Sequence, residues 1–263
     1  MVPIITFSSD FGNREYYVGA VKGAILSVCE RAHIIDISHQ ISPHNLREAA
    51  FTLACAYPYF PPGSIHLAVV DPGVGSSRRG LAVATERYLF VGPDNGLFTL
   101  IFQQQSVCQA VSLENNRFFQ GPVSPTFHGR DVFGPVAGWL ARGTALPELG
   151  PPIDDWVRLD FPAPQKAGQQ LLGTVLHVDT FGNVITCFRP SDLEALPARR
   201  RSPQFRVGNE RIRKHYRFYS QAQPGELFVL IGSSGYYELA LMQDSAAARL
   251  QAGPGTEVVL ELR

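Results

Sequence analysis

Three strand-like runs near the start of the chain, 2–7, 33–38 and 65–70, alternate with two stretches of helical periodicity, and this order limits the fold more than any other feature. In the first such stretch Val18, Val21, Ile25 and Val28 recur at i, i+3, i+7 and i+10, one apolar stripe suited to lie on a sheet. In the second, Asn45 followed three residues later by Glu48 has the form of a capping box. It opens a helix carrying Leu46, Ala50, Leu53 and Tyr57 that stops at Pro58. Strand, helix, strand, helix, strand is the signature of a largely parallel sheet with right-handed crossovers. Ligands of such sheets bind where loops leave the carboxyl ends of the strands.

Beyond that unit the pattern changes twice. Residues 80–85 and 88–92, joined by Glu86 and Arg87, predict a hairpin, Pro93-Asp94-Asn95-Gly96 a turn, and 97–102 a strand or short helix. Phe127-His128-Gly129-Arg130-Asp131 precedes a helix whose Val132, Val136, Trp139 and Leu140 share a face, with Gly143 at its C-cap. Residues 146–168 are rich in proline and read as a linker. After it, 171–178, 184–188, 205–207, 226–231, 236–242 and 257–262 alternate as short strands between Gly and Pro turns. The expected fold class is therefore α/β: an N-terminal α/β domain with a largely parallel central sheet, residues 1–162, plus a smaller C-terminal β-barrel domain, residues 168–263.

Charge narrows the partners. Lys+Arg and Asp+Glu are each 23, so no net field draws the chain to nucleic acid or an anionic membrane, and a small-molecule partner is expected. The stretch 199–217 holds eight basic residues against Glu210, and it reads as a solvated face. Cys29, Cys55, Cys108 and Cys187 lie far apart in apolar contexts, without zinc or redox spacing, and read as buried reduced thiols. The first residues lack a basic, apolar leader pattern, and no run is long enough to span a bilayer, so a cytoplasmic protein is expected.

The candidate site starts at residues 70–79, Val-Asp-Pro-Gly-Val-Gly-Ser-Ser-Arg-Arg, which end the third strand with one carboxylate and two guanidinium groups. Neither phosphate-loop pattern is present, and Pro72 removes a backbone donor, so the glycines are not read as a phosphate cradle. Asp71 and Arg78 are either a structural ion pair or part of a ligand site. Asp10, after the first strand, is either a turn residue or a ligand for a ribose diol, since one carboxylate satisfies two vicinal hydroxyls. Asp10-Phe11-Gly12 is no kinase magnesium loop, because no companion kinase motif accompanies it. His128 is a cap or a catalytic group. It has none of the His spacing of a metal site, and no metal or cofactor is expected. In Asp179-Thr180-Phe181-Gly182-Asn183, Phe181 is suited to stack on a base and Asn183 to read an adenine edge, unless the segment is only a hairpin turn. Gly232-Ser233-Ser234-Gly235 is either a turn or a cradle for a carboxylate.

Together, Ser8–Gly12, Val70–Gly75, Pro93–Leu97, Thr126–Asp131, Asp179–Asn183 and Gly232–Tyr236 resemble, in order and across both parts of the chain, the S-adenosyl-L-methionine hydroxide adenosyltransferases, relatives of the fluorinase and chlorinase. The resemblance implies an N-terminal α/β domain, a C-terminal β-barrel and a homotrimer with the substrate site between neighbouring subunits. It also implies hydrolysis of S-adenosyl-L-methionine to adenosine and methionine, with Asp71, Arg78 and His128 as the catalytic set. By the same resemblance Asp10 holds the ribose diol, Phe181 and Asn183 contact adenine, and Asp179 and Ser233 contact the methionine amine and carboxylate. The halogenases differ at the positions of Asp71, Val74 and His128, and the fluorinase carries an insertion where Glu86 and Arg87 stand. These differences favour water over halide as nucleophile. Ser234 stands where the fluorinase motif has Arg, His44 replaces an aromatic residue near the ribose, and the segment 179–183 is one residue shorter. The alternatives are a non-catalytic binder of adenosine or a sulfonium nucleoside, and a halogenase.

Overall fold

The structure, a computed structural model, describes residues 2–195 and 203–262. The chain forms two compact units, Met1–Leu159 and Asp160–Arg263.

In the first unit, strands β1 (Ile4–Ser9), β2 (His33–Ser38), β3 (Ile65–Val69), β4 (Gly80–Thr85), β5 (Leu89–Pro93) and β6 (Val107–Ser112) form one sheet in the order β2-β1-β3-β5-β4-β6. The first four in that order are parallel, and β4 and β6 complete the sheet antiparallel. β3 is buried throughout, as a strand covered on both faces must be, and so reads as an apolar run interrupted only by His66. Helix α1 (Tyr17–Val28) buries Val21 and Ile25 against Val136, Ala137 and Leu140 of α4 (Gly134–Ala141) on one face. On the other, after α2 (Leu46–Ala56), the rings of Tyr57, Tyr88 and Phe90 surround His66.

Local chemistry explains the elements. The Asn45 side chain accepts from the Glu48 N–H, whereas the Glu48 carboxylate reaches back to the Ser42 N–H, so the box closes one turn wider than its ordinary form. Residues 97–102 resolve as a short helix, α3 (Thr99–Phe102). Strand β6, which the sequence reading missed, lies at the edge with only its last three residues buried, so its apolar signal is weak.

The proline-rich segment 146–168 is not a free linker. It begins with helix α5 (Leu146–Leu149), and Pro152 bridges Val111. The Val157 N–H donates to Asp94 Oδ1 at 2.8 Å, and the Leu159 N–H to Thr99 Oγ1 at 2.9 Å. Proline removes donors without preventing such docking, so composition alone misled. Two cysteines also depart from expectation: Cys29 and Cys187 are buried, Cys55 is intermediate and Cys108 is exposed on edge strand β6.

The second unit is antiparallel. Strands β7 (Gln165–Ala167), β8 (Gln170–Val178), β9 (Val184–Thr186), β10 (Pro203–Val207), β11 (Glu210–Ile212), β12 (Leu227–Ile231), β13 (Tyr237–Leu241) and β14 (Glu257–Leu262) form a sheet ordered β11-β10-β14-β8-β9-β13-β12, with β7 on β8. The ends approach each other where Lys214 and Tyr216 bond Val229 of β12, giving a nearly closed, barrel-like sheet. Phe188, Phe205, Val229, Leu239 and Leu260 fill it, with helix α6 (Ala246–Leu250) packed on the same core. Of the basic stretch, Arg199, Arg200 and Arg201 lie outside the described residues. Arg213 binds Gln204, and Lys214 pairs with Glu226, so those two side chains are tied to the sheet.

Candidate active site

Ser9 pairs with Val69 in parallel register, so Asp10 and Asp71 leave adjacent strands at the same sheet edge. There the 70–79 loop curls on itself: the Val74 N–H donates to Asp71 O and the Ser76 N–H to Gly73 O. Gly75 adopts a φ of +78°, and a Cβ there would lie 2.3 Å from Pro125 O, so only glycine lets this loop meet the one leading to His128.

The curl returns Arg78 to Asp71. Its Nε donates to Asp71 Oδ1 at 2.8 Å and its Nη2 to Oδ2, a two-pronged pairing of side chains only 11% and 6% exposed. The same Nη2 lies 2.8 Å from His128 Nδ1. A guanidinium has donors only, so Nδ1 accepts and the ring proton of neutral His128 resides on Nε2. Burial, then the Arg78 charge, lowers the His128 pKa, while Asp71 and Asp131 oppose the shift. The Arg78 guanidinium also lies 5.0 Å from the centroid of the Phe133 ring, close enough for a cation–π contact. His128 immediately precedes a π turn, Gly129–Phe133, at the head of α4, and Asp131 ties this region to the preceding loop by accepting from the Ser124 N–H.

Asp71 and His128 line a cavity of about 260 Å³ together with Asp10, Phe11, Tyr17, His44 and Phe127. Asp10 accepts the His44 N–H at 2.9 Å on Oδ2. His44 itself is held at a φ of 65°, a strained conformation for a residue other than glycine. Arg78 and His128 also face a second cavity of about 520 Å³, with Ser112, Glu114 and Asn116.

In the second unit, Asp179, Phe181, Asn183 and Ser233 line one cavity of about 710 Å³. Asp179 braces its own turn: Oδ1 accepts the N–H groups of Phe181 and Asn183, and Oδ2 accepts Asn183 Nδ2. The bracing leaves Phe181 81% exposed, its ring available for stacking. Sequence reasoning missed Tyr17, Phe127, Tyr219 and Glu238 on these walls. Glu238 had a signal, as the sole charge in the apolar run 236–242. Among the described residues no cluster of three or more His, Cys, Asp or Glu is arranged to hold a metal, and no helix is long and apolar enough to cross a membrane.

Two carboxylates, a fork-paired arginine and a neutral histidine at the strand ends of an α/β unit, followed by a β-barrel unit, define a two-unit protein with a polar small-molecule site. Residues 5–150 match the family model for the SAM hydroxide adenosyltransferase N-terminal domain, and residues 173–259 the model for the C-terminal domain. The chain belongs to the SAM hydroxide adenosyltransferase family. It is 38% identical to the (R)-S-adenosyl-L-methionine hydrolase of Salinispora tropica, covering 96% of this chain and 95% of that protein. Identity to the protein of that name from Methanocaldococcus jannaschii is 35%, over 95% and 92% of the two chains. A fluorinase of an Actinoplanes species is 27% identical over 73% of this chain and 74% of its own. The crystal structure of an uncharacterized conserved protein from Thermotoga maritima superimposes with a TM-score of 0.90 at 34% identity, covering 98% of this chain and 99% of that one.

Proposed function

We propose that this protein hydrolyses S-adenosyl-L-methionine to adenosine and L-methionine. The observation that carries the reading is the hydrogen-bonded Asp71, Arg78 and His128 set, of which Asp71 and His128 line the cavity that also holds Asp10. The family and its relatives named as hydrolases supply the substrate.

The chemistry demands little acid catalysis. Water attacks the ribose C5′, the new O–C5′ bond forms as the C5′–S bond breaks, and the electron pair goes to sulfur, which leaves as a neutral thioether. The task is to hold one water in line and take up its proton. Arg78 occupies one position on each carboxylate oxygen of Asp71, which leaves the remaining lone pairs to accept the water's hydrogen. Arg78 fixes that carboxylate, and His128, accepting at Nδ1, presents Nε2–H as a donor to the attacking oxygen. The proton passes from Asp71 to solvent after the step. Asp10 takes the ribose diol, Phe181 and Asn183 the adenine, and Asp179 and Ser233 the amine and carboxylate of methionine. The family resemblance also supports a homotrimer with the site at a subunit boundary. Free thiols accord with a reducing, cytoplasmic setting.

The test is incubation of the purified protein with S-adenosyl-L-methionine, followed by chromatography. Adenosine and methionine in equal amounts are expected. Tight binding without product would make the protein a binder, and a halogenated nucleoside formed with added halide would make it a halogenase.

A further inference from the structure

Glu238 is buried, at 5% exposure, on the wall of the cavity that holds Asp179, Phe181, Asn183 and Ser233. Its position follows from strand alternation. Tyr237, Leu239 and Leu241 of β13 point into the barrel core, so Glu238 projects from the opposite face. One oxygen, Oε1, accepts from the Tyr219 hydroxyl at 2.6 Å. Among the described residues that line this cavity there is no lysine, arginine or histidine, whereas Asp179 and Asp244 are there. A carboxylate so withdrawn from water is costly unless a cation meets it. Burial raises the Glu238 pKa, the Tyr219 hydrogen bond opposes the rise and the Asp179 charge adds to it.

The second oxygen is kept open by Gly232, where a Cβ would stand 2.6 Å from Glu238 Oε2. The next residue is Ser233, in a tight turn closed by the bond from Gly235 N–H to Gly232 O at 2.9 Å. A hydroxyl-bearing turn thus adjoins an open carboxylate oxygen, the pairing that suits an α-amino acid, whose carboxylate and ammonium share one carbon. Asp179 has three of its positions filled by its own turn and cannot satisfy the three N–H donors of an ammonium alone. A sulfonium has no N–H to offer, so the ammonium is the better match for these oxygens.

We propose that Glu238 is a specificity-determining residue that binds the α-ammonium of the substrate's amino-acid arm. The inference rests on the hydrolase reading and assigns a further residue to the same site. By contributing a charge-assisted contact, it favours an aminoacyl sulfonium over a sulfonium nucleoside that lacks the amino acid.

The experiment compares wild type and Glu238→Gln on two substrates, S-adenosyl-L-methionine and 5′-dimethylsulfonio-5′-deoxyadenosine, which keeps the sulfonium without the amino acid. The near-isosteric Gln can still accept from Tyr219, and adenosine affinity reports on integrity of the site. The preference in kcat/KM for S-adenosyl-L-methionine should fall about tenfold or more, with adenosine affinity within about twofold of wild type. An unchanged preference overturns the proposal, and so does equal loss of adenosine binding, which would make Glu238 a structural residue. If wild type turns over neither substrate, the hydrolase reading fails instead. L-methionine binding by calorimetry then decides the matter for Glu238, whose replacement must weaken it.

Discussion

Replacing Asp71 by Asn is the most informative single change, because it separates the charge of the carboxylate from its shape. Asn still accepts one hydrogen bond from Arg78, but it cannot take a proton from water. Loss of a positioned base costs roughly 10²–10⁴-fold in rate, equivalent to about 3–5 kcal/mol of barrier. There is a stability cost as well, because Arg78, 11% exposed, loses its counter-ion. Breaking a buried pair costs about 3–5 kcal/mol. Arg78 keeps the Arg79 carbonyl and His128 Nδ1 as acceptors, so the lower figure applies. At roughly 2–4 °C per kcal/mol for a chain near this size, Tm should fall by about 6–12 °C. The assay is initial-rate adenosine formation by chromatography at saturating substrate, well below that Tm, with thermal denaturation run in parallel. A folded Asp71→Asn protein with kcat within about threefold of wild type would refute the assignment of Asp71 as proton acceptor.

Two further outcomes follow from the geometry. His66 has no exposure, and burial lowers its pKa to about 4 from an ordinary 6.5. Below pH 6.5 the unfolded chain therefore takes up a proton that the folded chain refuses. This contribution is fully present above 6.5 and is lost as pH falls toward 4, on the order of 3 kcal/mol in all. Denaturant titrations should show a shallower loss of stability over that range in His66→Phe than in wild type, and coincident slopes would exclude His66 as the source. Gly75→Ala places a methyl against Pro125 O and requires left-handed backbone of alanine, which moves the Asp71 and His128 loops apart. A loss of about 10–100-fold in kcat with little change in KM is expected from steady-state kinetics, and wild-type kcat would show that the loops need not meet.

The α/β character of the first unit was legible because β1, β2 and β3 are separated by helices with clear apolar stripes, and connectivity then fixes neighbours. Strand ends followed from the same logic, so Asp10 and Asp71 could be singled out before any distance was known. What the sequence could not show was pairing over long separations. Arg78 and His128 lie fifty residues apart, and nothing local reveals that one nitrogen of the guanidinium serves both Asp71 and the imidazole. Which ring nitrogen of His128 carries the proton is likewise set by that contact. Segment 146–168 was misread because its docking depends on partners elsewhere, Asp94 and Thr99 among them, that composition cannot register. Glu238 stood out as the sole charge of an apolar strand, but its role depends on which face of that strand it occupies.

In the proposed reaction, water held by Asp71, Arg78 and His128 attacks the ribose C5′ of S-adenosyl-L-methionine. Reaction in water enriched in oxygen-18, followed by mass spectrometry of both products, tests it directly. One heavy oxygen is expected in adenosine, at the 5′-hydroxyl, and none in methionine; label in the amino-acid product, or adenosine free of it, would rule out attack at C5′.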